Sequence, residues 1–203
     1  MEPDQKVKNI NIDDSVLVQQ CRLGNTTAME RLILKYQSRI YNVILKICAN
    51  VDDAAELTQE TFVKIIENID RFERRSSFYT WAFRIAVNLT INYCKRNVKL
   101  GFSSLDTTSN GEQDDARGAL KEILRDESSP DPARIAENKE LCELIIKSLM
   151  KLDDEQRAVI VLRDIEQMSY KEIADVLELE LGTVKSRLSR ARKNLRSILE
   201  VLL

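Results

Sequence analysis

The chain has 203 residues and a formal net charge of −2, with 43% apolar, 32% charged and 5% aromatic residues. This length allows one or two domains, and only five glycines and three prolines argue against an all-β fold. The chain contains no histidine. The commonest general base and metal ligand is therefore missing, so we expect neither an enzyme nor a metal site.

Four cysteines, Cys21, Cys48, Cys94 and Cys142, are widely spaced and form no Cys-x-x-Cys pair. Their spacing predicts reduced, mostly buried thiols rather than a disulfide framework or a zinc site, so no cofactor is expected. The polar first 12 residues do not resemble a signal peptide, and no apolar run approaches the roughly 18 residues that span a bilayer. We expect a soluble, cytoplasmic protein without membrane insertion.

Residues 1–13 are predicted to form a flexible arm, and residues 14–98 are predicted to form a small all-α domain. Its four amphipathic helices have enough apolar positions for one core. The first is expected to end near Gly24, the second to be capped by Thr26 or Thr27, the third to be capped by Asp52 or Asp53, and the fourth to run from about Phe78 to Val98.

Residues 99–133 lack sustained periodicity and are rich in Ser, Thr, Asp and Glu, which predicts a flexible acidic linker. Within it, 118–124 could form a short helix. Residues 134–203 return to helical periodicity and predict a second all-α domain. There Asp153 or Asp154 is expected to cap a helix, and Ser169 with Glu172 has the spacing of a capping box at a further helix start.

The last predicted helix has two different faces. Val184, Leu188, Ala191 and Leu195 recur at helical intervals and form an apolar stripe, whereas the stretch from Gly182 to Arg196 contains six basic residues and no acidic one. Two helices joined by a tight turn, the second one cationic outside, are typical of a helix-turn-helix that enters a major groove. From charge alone, a solvated basic helix packed on its neighbour is about equally plausible.

The residues of this region also carry a resemblance to a known family. The segment Leu162-Arg163-Asp164-Ile165-Glu166-Gln167-Met168-Ser169-Tyr170-Lys171-Glu172-Ile173-Ala174, followed by Leu181-Gly182-Thr183-Val184-Lys185-Ser186-Arg187-Leu188, resembles the DNA-binding domain of bacterial extracytoplasmic-function sigma factors. Asp53-Ala54-Ala55-Glu56-Leu57-Thr58-Gln59-Glu60-Thr61-Phe62 and Phe78-Tyr79-Thr80-Trp81-Ala82-Phe83-Arg84-Ile85-Ala86-Val87-Asn88 are similar to segments of its other half, closest to the sigma-E-like branch. Two separate matches in the expected order are much stronger than either alone.

The resemblance implies a protein that binds core RNA polymerase, recognises promoter −35 and −10 elements and helps to open the DNA. Arginine can donate two parallel hydrogen bonds to a guanine edge, and serine and lysine can contact either bases or phosphates. The set expected at the −35 element is Thr183, Lys185, Ser186, Arg187, Ser189, Arg190, Arg192 and Lys193, of which Arg187 and Arg192 are expected on the DNA backbone.

The −10 element is expected at an aromatic cluster flanked by arginines, because aromatic faces stack on unpaired bases and arginines hold phosphates. That set is Arg71, Phe72, Arg74, Arg75, Ser77, Phe78, Tyr79, Trp81, Arg84 and Asn88. An aromatic stripe at helical spacing is more often core, and we expect Trp81 to be partly structural. The acidic third helix is expected to contact the clamp helices of the polymerase largest subunit through Asp53, Glu56, Leu57, Gln59, Glu60 and Phe62.

Three alternative interpretations stay open at this point, and one turn of the sequence differs from the pattern that is usual in the family. A free-standing helix-turn-helix regulator would bind duplex DNA alone, a helical adaptor would not bind DNA, and the acidic face of the third helix could simply be solvated. The resemblance further implies the polymerase flap and an anti-sigma factor as partners. In the turn Leu177-Glu178-Leu179-Glu180, glycine and proline are usual in the family, so we expect Glu178 to adopt the left-handed backbone that glycine tolerates.

Overall fold

A computed structural model describes residues 13–73, 76–101 and 144–202, and every regular element within these ranges is helical. The predicted all-α class is thereby confirmed. The arm up to residue 12, Arg74 and Arg75, and the predicted linker from residue 102 lie outside the described residues, as does the short helix expected at 118–124.

The first two helices are α1 (Asp14–Arg22) and α2 (Thr26–Cys48). As expected, α1 ends before Gly24, whose φ of +81° would strain any residue with a side chain. The cap of α2 was predicted wrongly. Asn25, not a threonine, precedes the helix, and its side-chain oxygen accepts from the Ala28 N–H, because asparagine in this position satisfies a free N–H as well as threonine would.

The third and fourth helices are α3 (Val51–Asn68) and α4 (Phe78–Gly101), with a short 3-10 turn at Ile69–Arg71 between them. The cap of α3 is Asn50, which accepts from the Asp53 N–H at 2.9 Å, and not either of the two predicted aspartates. Those carboxylates lie in the first turn instead, where the helix dipole favours negative charge. Helix α4 extends three residues past the expected end at Val98.

The described part of the C-terminal half opens with helical residues 144–150 (α5). Asp153 then caps α6 (Asp154–Ile160), as predicted, and α6 continues into a π-helical segment, Val161–Ile165. The capping box of Ser169 and Glu172 is confirmed at the start of α7 (Tyr170–Leu177). Helix α8 (Leu181–Leu202) follows.

The two halves share one apolar core. Helix α7 lies along α4, and α6 contacts both α2 and α4. Phe83 of α4, Ile44 of α2, and Val159 and Ile173 of the C-terminal half are all completely buried. In this arrangement the helix-turn-helix therefore rests directly on the N-terminal helices.

The turn between α7 and α8 confirms the expectation for Glu178, which has a φ of 54° and a ψ of 45°. A side chain in this left-handed conformation costs on the order of 1 kcal/mol relative to glycine. Glu178→Gly should therefore raise the melting temperature by about 2–4 °C, measured by circular dichroism. Glu178→Ala removes the same charge but keeps the Cβ, so it should give no such gain. Equal gains for both variants would mean that charge, not backbone strain, is relieved.

Candidate nucleic-acid interface

Helix α8 is held by a buried stripe and presents its opposite face to solvent. Val184, Leu188 and Ala191 are buried against α6 and α7. The side chains on the outer face, all exposed, are Lys185, Ser186, Ser189, Arg190 and Lys193. Thr183, at the helix start, is half-buried. Five of the eight residues predicted for the −35 element therefore share one exposed face of α8.

Two arginines flank the buried stripe and are held by acids of α6 and of the π-helical segment that continues it. Arg187 Nη1 lies 2.8 Å from Glu155 Oε2, and the Arg192 guanidinium bonds both carboxylate oxygens of Asp164. That bond raises the pKa of Arg192 above its usual value. These ion pairs fix how α8 sits on α6. Along the described part of the chain, the cations of α8 without an ion pair are Lys185, Arg190, Lys193 and Arg196.

The predicted −10 residues fall into an inner and an outer group. Phe72 and Phe78 are buried and meet edge to face, with ring centroids 5.9 Å apart. The half-buried Trp81 packs against both rings. The three rings form one packed cluster, the aromatic support. Arg71 and Ser77 are exposed beside them, while Arg74 and Arg75 lie outside the described residues.

The remaining −10 candidates, Tyr79, Arg84 and Asn88, line α4 and are half-buried. Among the described side chains, Nε of Arg84 is a buried donor without a hydrogen-bond partner. Tyr79 lies beneath the guanidinium of Arg39, which is 4.6 Å from the ring centroid. Helix α7 packs along α4, so part of this surface is covered by the C-terminal half.

The predicted polymerase-binding residues of α3 are divided between surface and core. Glu56, Gln59 and Glu60 are exposed, whereas Leu57 and Phe62 are buried. Asp53 accepts a hydrogen bond from the Tyr93 hydroxyl at 2.5 Å. Burial is the main cause that raises the pKa of Tyr93 to about 12, and the hydrogen bond to Asp53 is the second cause. An open cleft of about 290 Å³ lies between α3 and α4, lined by Glu56, Leu57, Glu60, Tyr93, Arg96 and Asn97.

Two apolar side chains of α3 lie on the surface, which the sequence pattern did not predict. In the sequence Ile66 belongs to an apolar stripe with Leu57, Phe62 and Ile65, which predicts that it is buried. It is nevertheless 46% exposed, and Val63 is 51% exposed. A contiguous exposed apolar patch rimmed by polar residues marks an interaction site, whereas single exposed apolar side chains are ordinary; these two lie one helical turn apart beside exposed acids. The signal in the sequence was the width of the stripe on α3, which exceeds what one core-facing side can bury.

The sequence also gave no indication of a charged contact between the halves. Glu166, directly after the π-helical segment, lies 3.5 Å from Lys46 Nζ and 3.4 Å from Arg39 Nη2. The Tyr79 hydroxyl donates to the same carboxylate at 3.3 Å. Residues this far apart in sequence share no periodicity, so only the packing of the halves brings them together.

Other site chemistry is limited. Cys21, Cys48 and Cys94 carry free thiols, and burial raises the pKa of Cys48 to about 11 and that of Cys94 to about 12. These thiols are protonated at neutral pH and are poor nucleophiles. Cys142 lies outside the described residues. Within the described ranges, no group of potential ligands could hold a metal ion, and no helix has the length and hydropathy to cross a membrane.

Comparison with protein families gives two matches, in the order that the sequence predicted. Residues 32–99 match the model for Sigma-70 region 2, and residues 142–195 match the model for Sigma-70, region 4. The chain is 33% identical over 182 residues to the ECF RNA polymerase sigma-E factor of Escherichia coli K12, covering 90% of this chain and 92% of that protein. It is 32% identical over 190 residues to the RNA polymerase sigma-H factor of Pseudomonas aeruginosa, covering 94% and 95%.

Two solved structures share the fold. CnrH, in complex with the cytosolic domain of CnrY, superposes with a TM-score of 0.62 at 24% identity, over 93% of this chain and 97% of that one. The sigma factor RpoE of Bartonella quintana, in complex with the anti-sigma factor NepR, gives a TM-score of 0.61 at 23% identity, over 85% and 96%. At these identities the likeness extends to the fold alone.

Proposed function

Because the chain belongs to the extracytoplasmic-function sigma factors of RNA polymerase, we propose that it binds core polymerase, recognises promoter −35 and −10 elements and promotes strand opening for transcription initiation. The observation that carries this proposal is the outer face of α8 with the adjoining Arg196: its exposed cations Lys185, Arg190, Lys193 and Arg196 form no ion pair among the described residues, and no acid occurs from Gly182 to Arg196. A face of this kind suits a phosphate-lined major groove. The alternative, a regulator acting without polymerase, is not favoured because both sigma regions match in order.

We assign base contacts at the −35 element to Lys185, Ser186, Ser189 and Arg190, which share the exposed face. The N–H groups at the start of α8, near Thr183, suit a phosphate. Arg187 and Arg192 act at the margins of this face. Their ion pairs with Glu155 and Asp164 orient α8, and their exposed edges reach the DNA backbone.

We assign the −10 element to the exposed edge of the aromatic support. Trp81 rests on Phe72 and Phe78, which hold its ring in place for a displaced base. Arg71, Arg84 and Asn88 supply donors around it, and the free Nε of Arg84 is suited to a phosphate oxygen. Since α7 lies along α4, the two halves must separate for the whole surface to contact DNA.

Polymerase contact is assigned to the outer face of α3, where exposed Glu56, Gln59 and Glu60 accompany Val63 and Ile66. Acids steer the encounter with a basic partner surface, and the apolar side chains add contact area. We propose core polymerase, through its largest-subunit clamp helices, as the partner here and an anti-sigma factor as a second partner of the chain. The protein is proposed to act in the cytoplasm without catalytic activity of its own.

Reversing one charge tests the α3 surface. Glu60 is exposed, and among the described residues its ion pair is with Lys64 at 3.7 Å, so Glu60→Lys should leave the fold within about 0.5 kcal/mol of wild type. Binding to core polymerase, measured by fluorescence anisotropy, should weaken on the order of tenfold because like charges then face each other. Glu30→Lys, an equal change on the exposed side of α2, should bind normally. Equal binding by all three proteins would remove α3 from the contact surface.

The proposal as a whole is tested by transcription in vitro. Cognate core polymerase is given a promoter library with and without this chain, and the start sites are sequenced. Promoter-specific initiation should appear only when the chain is present. A chain that binds duplex promoters alone and adds no initiation would instead be a free-standing regulator.

A further inference from the structure

A carboxylate from the C-terminal half fills a recess in the N-terminal half. Glu166 has only 8% of its side chain exposed, and it faces Lys46, Arg39 and Tyr79. The N–H of Glu166 bonds the Val161 carbonyl at 2.9 Å, so the end of the π-helical segment fixes its position. The recess is cationic and aromatic, and none of its residues except Tyr79 has a part in the assignments above.

The floor of the recess is a buried ammonium. Lys46 is only 5% exposed, and burial lowers its pKa below the usual value while Glu166 partly offsets that shift. A buried cation is costly unless an anion accompanies it. Lys46 therefore needs an anion beside it for as long as it is buried and charged. That anion can belong to this chain or to a bound molecule.

The present anion fits loosely. Its contacts with Lys46, Arg39 and Tyr79 measure 3.5, 3.4 and 3.3 Å, longer than the 2.7–2.9 Å typical of charge-assisted hydrogen bonds. In the present contacts Arg39 and Tyr79 share one carboxylate oxygen and Lys46 has the other, whereas a phosphate carries enough oxygens to offer each of the three donors its own. The ion pairs between the halves also have one polarity among the described residues, with Lys46, Arg39 and Lys95 on one side and Glu166 and Glu155 on the other.

We propose that Arg39, Lys46 and Tyr79 form a binding recess for single-stranded DNA, in which Glu166 occupies the phosphate position until the two halves separate. The inference rests on the proposed function and deepens it, because the recess adjoins the −10 surface on α4. Cations beside an aromatic ring are the usual combination for holding a single strand. Through Glu166, the C-terminal half therefore competes with single-stranded DNA for this recess in the N-terminal half.

The test uses the full chain without polymerase and a fluorescein-labelled 20-nucleotide single-stranded DNA of mixed sequence. Glu166→Gln removes the competing charge and should bind about tenfold more tightly than wild type. Its affinity should also fall more steeply with salt, by up to about 1.4 in the log–log slope, because two cations become available to phosphate. Glu30→Gln, the same change on an exposed side of α2, should behave like wild type.

Second substitutions identify the recess itself. In the Glu166→Gln background, Arg39→Ala or Lys46→Met should abolish the gain in affinity and in salt slope, whereas Arg31→Ala, at an exposed position two turns earlier on α2, should retain it. Circular dichroism melts check that each variant is folded. No gain for Glu166→Gln, or a gain that survives both recess substitutions, would overturn the proposal. Polymerase-dependent initiation is measured separately, so either idea can fail alone.

Discussion

Arg157→Met is expected to lower the free energy of unfolding by about 3 kcal/mol or more. Arg157 is only 7% exposed, and its guanidinium donates to the carbonyls of Leu149, Met150 and Leu152 at 3.1, 3.4 and 3.0 Å. It also donates to Ile47, in the last turn of α2. These carbonyls lie in the last turns of α2 and α5 or just after α5, where carbonyls lack intrahelical donors. The Leu149 carbonyl also accepts from the Leu152 N–H at 3.1 Å, so the variant leaves the other buried acceptors unsatisfied.

Thermal and urea melts of the full chain measure this effect. For a chain of this size the melting temperature should drop by about 6–12 °C. Arg157→Lys should recover only part of the loss, because one ammonium cannot reach the several carbonyls that a planar guanidinium spans. Arg31→Met changes an exposed arginine of α2 and should melt like wild type. A melting temperature for Arg157→Met within 1 °C of the Arg31→Met control would show that water satisfies those carbonyls.

The helices and the turn chemistry were predictable because they depend on neighbours in sequence. The apolar stripe of Val184, Leu188 and Ala191 predicted which side of α8 is buried, and the Ser169–Glu172 spacing predicted a cap that the structure contains. The left-handed backbone of Glu178 was expected from the resemblance, because the family usually has glycine in this turn. Helix starts were less certain, since the asparagine caps of α2 and α3 lie beside threonines and aspartates that could serve equally well.

The packing between the halves could not be predicted in the same way. Arg157 and Ile47 are 110 residues apart, and Glu166 and Lys46 are 120 apart, so no periodicity connects them. The burial of Phe72 and Phe78 was foreseen only as a general tendency of aromatic stripes. The ion pairs of Arg187 and Arg192 were also missed, because Glu155 and Asp164 resemble ordinary surface acids in sequence.

Arg190→Ala is expected to weaken promoter binding by about 1–3 kcal/mol and to relax the preference at one −35 position. Its side chain lies on the exposed face of α8 without an ion pair in the described structure, and Nε only approaches the Ser186 carbonyl of its own helix at 3.4 Å. A guanidinium held this weakly can turn toward a base edge at little cost. Holoenzyme binding to a library randomised at the −35 element measures both effects.

Arg192→Ala is the matched control, because it removes the same side chain two residues later. Arg192 lies beside the buried stripe and is held by Asp164, and we propose that it contacts the DNA backbone rather than a base. Its loss should weaken all promoters alike and lower the salt slope by about 1, with the −35 preference unchanged. If Arg190→Ala instead keeps the wild-type preference, Arg190 contacts phosphate only, and base recognition would pass to Lys185, Ser186 and Ser189. If Arg192→Ala changes that preference, the ion pair with Asp164 controls the pitch of α8 in the groove rather than merely anchoring the helix.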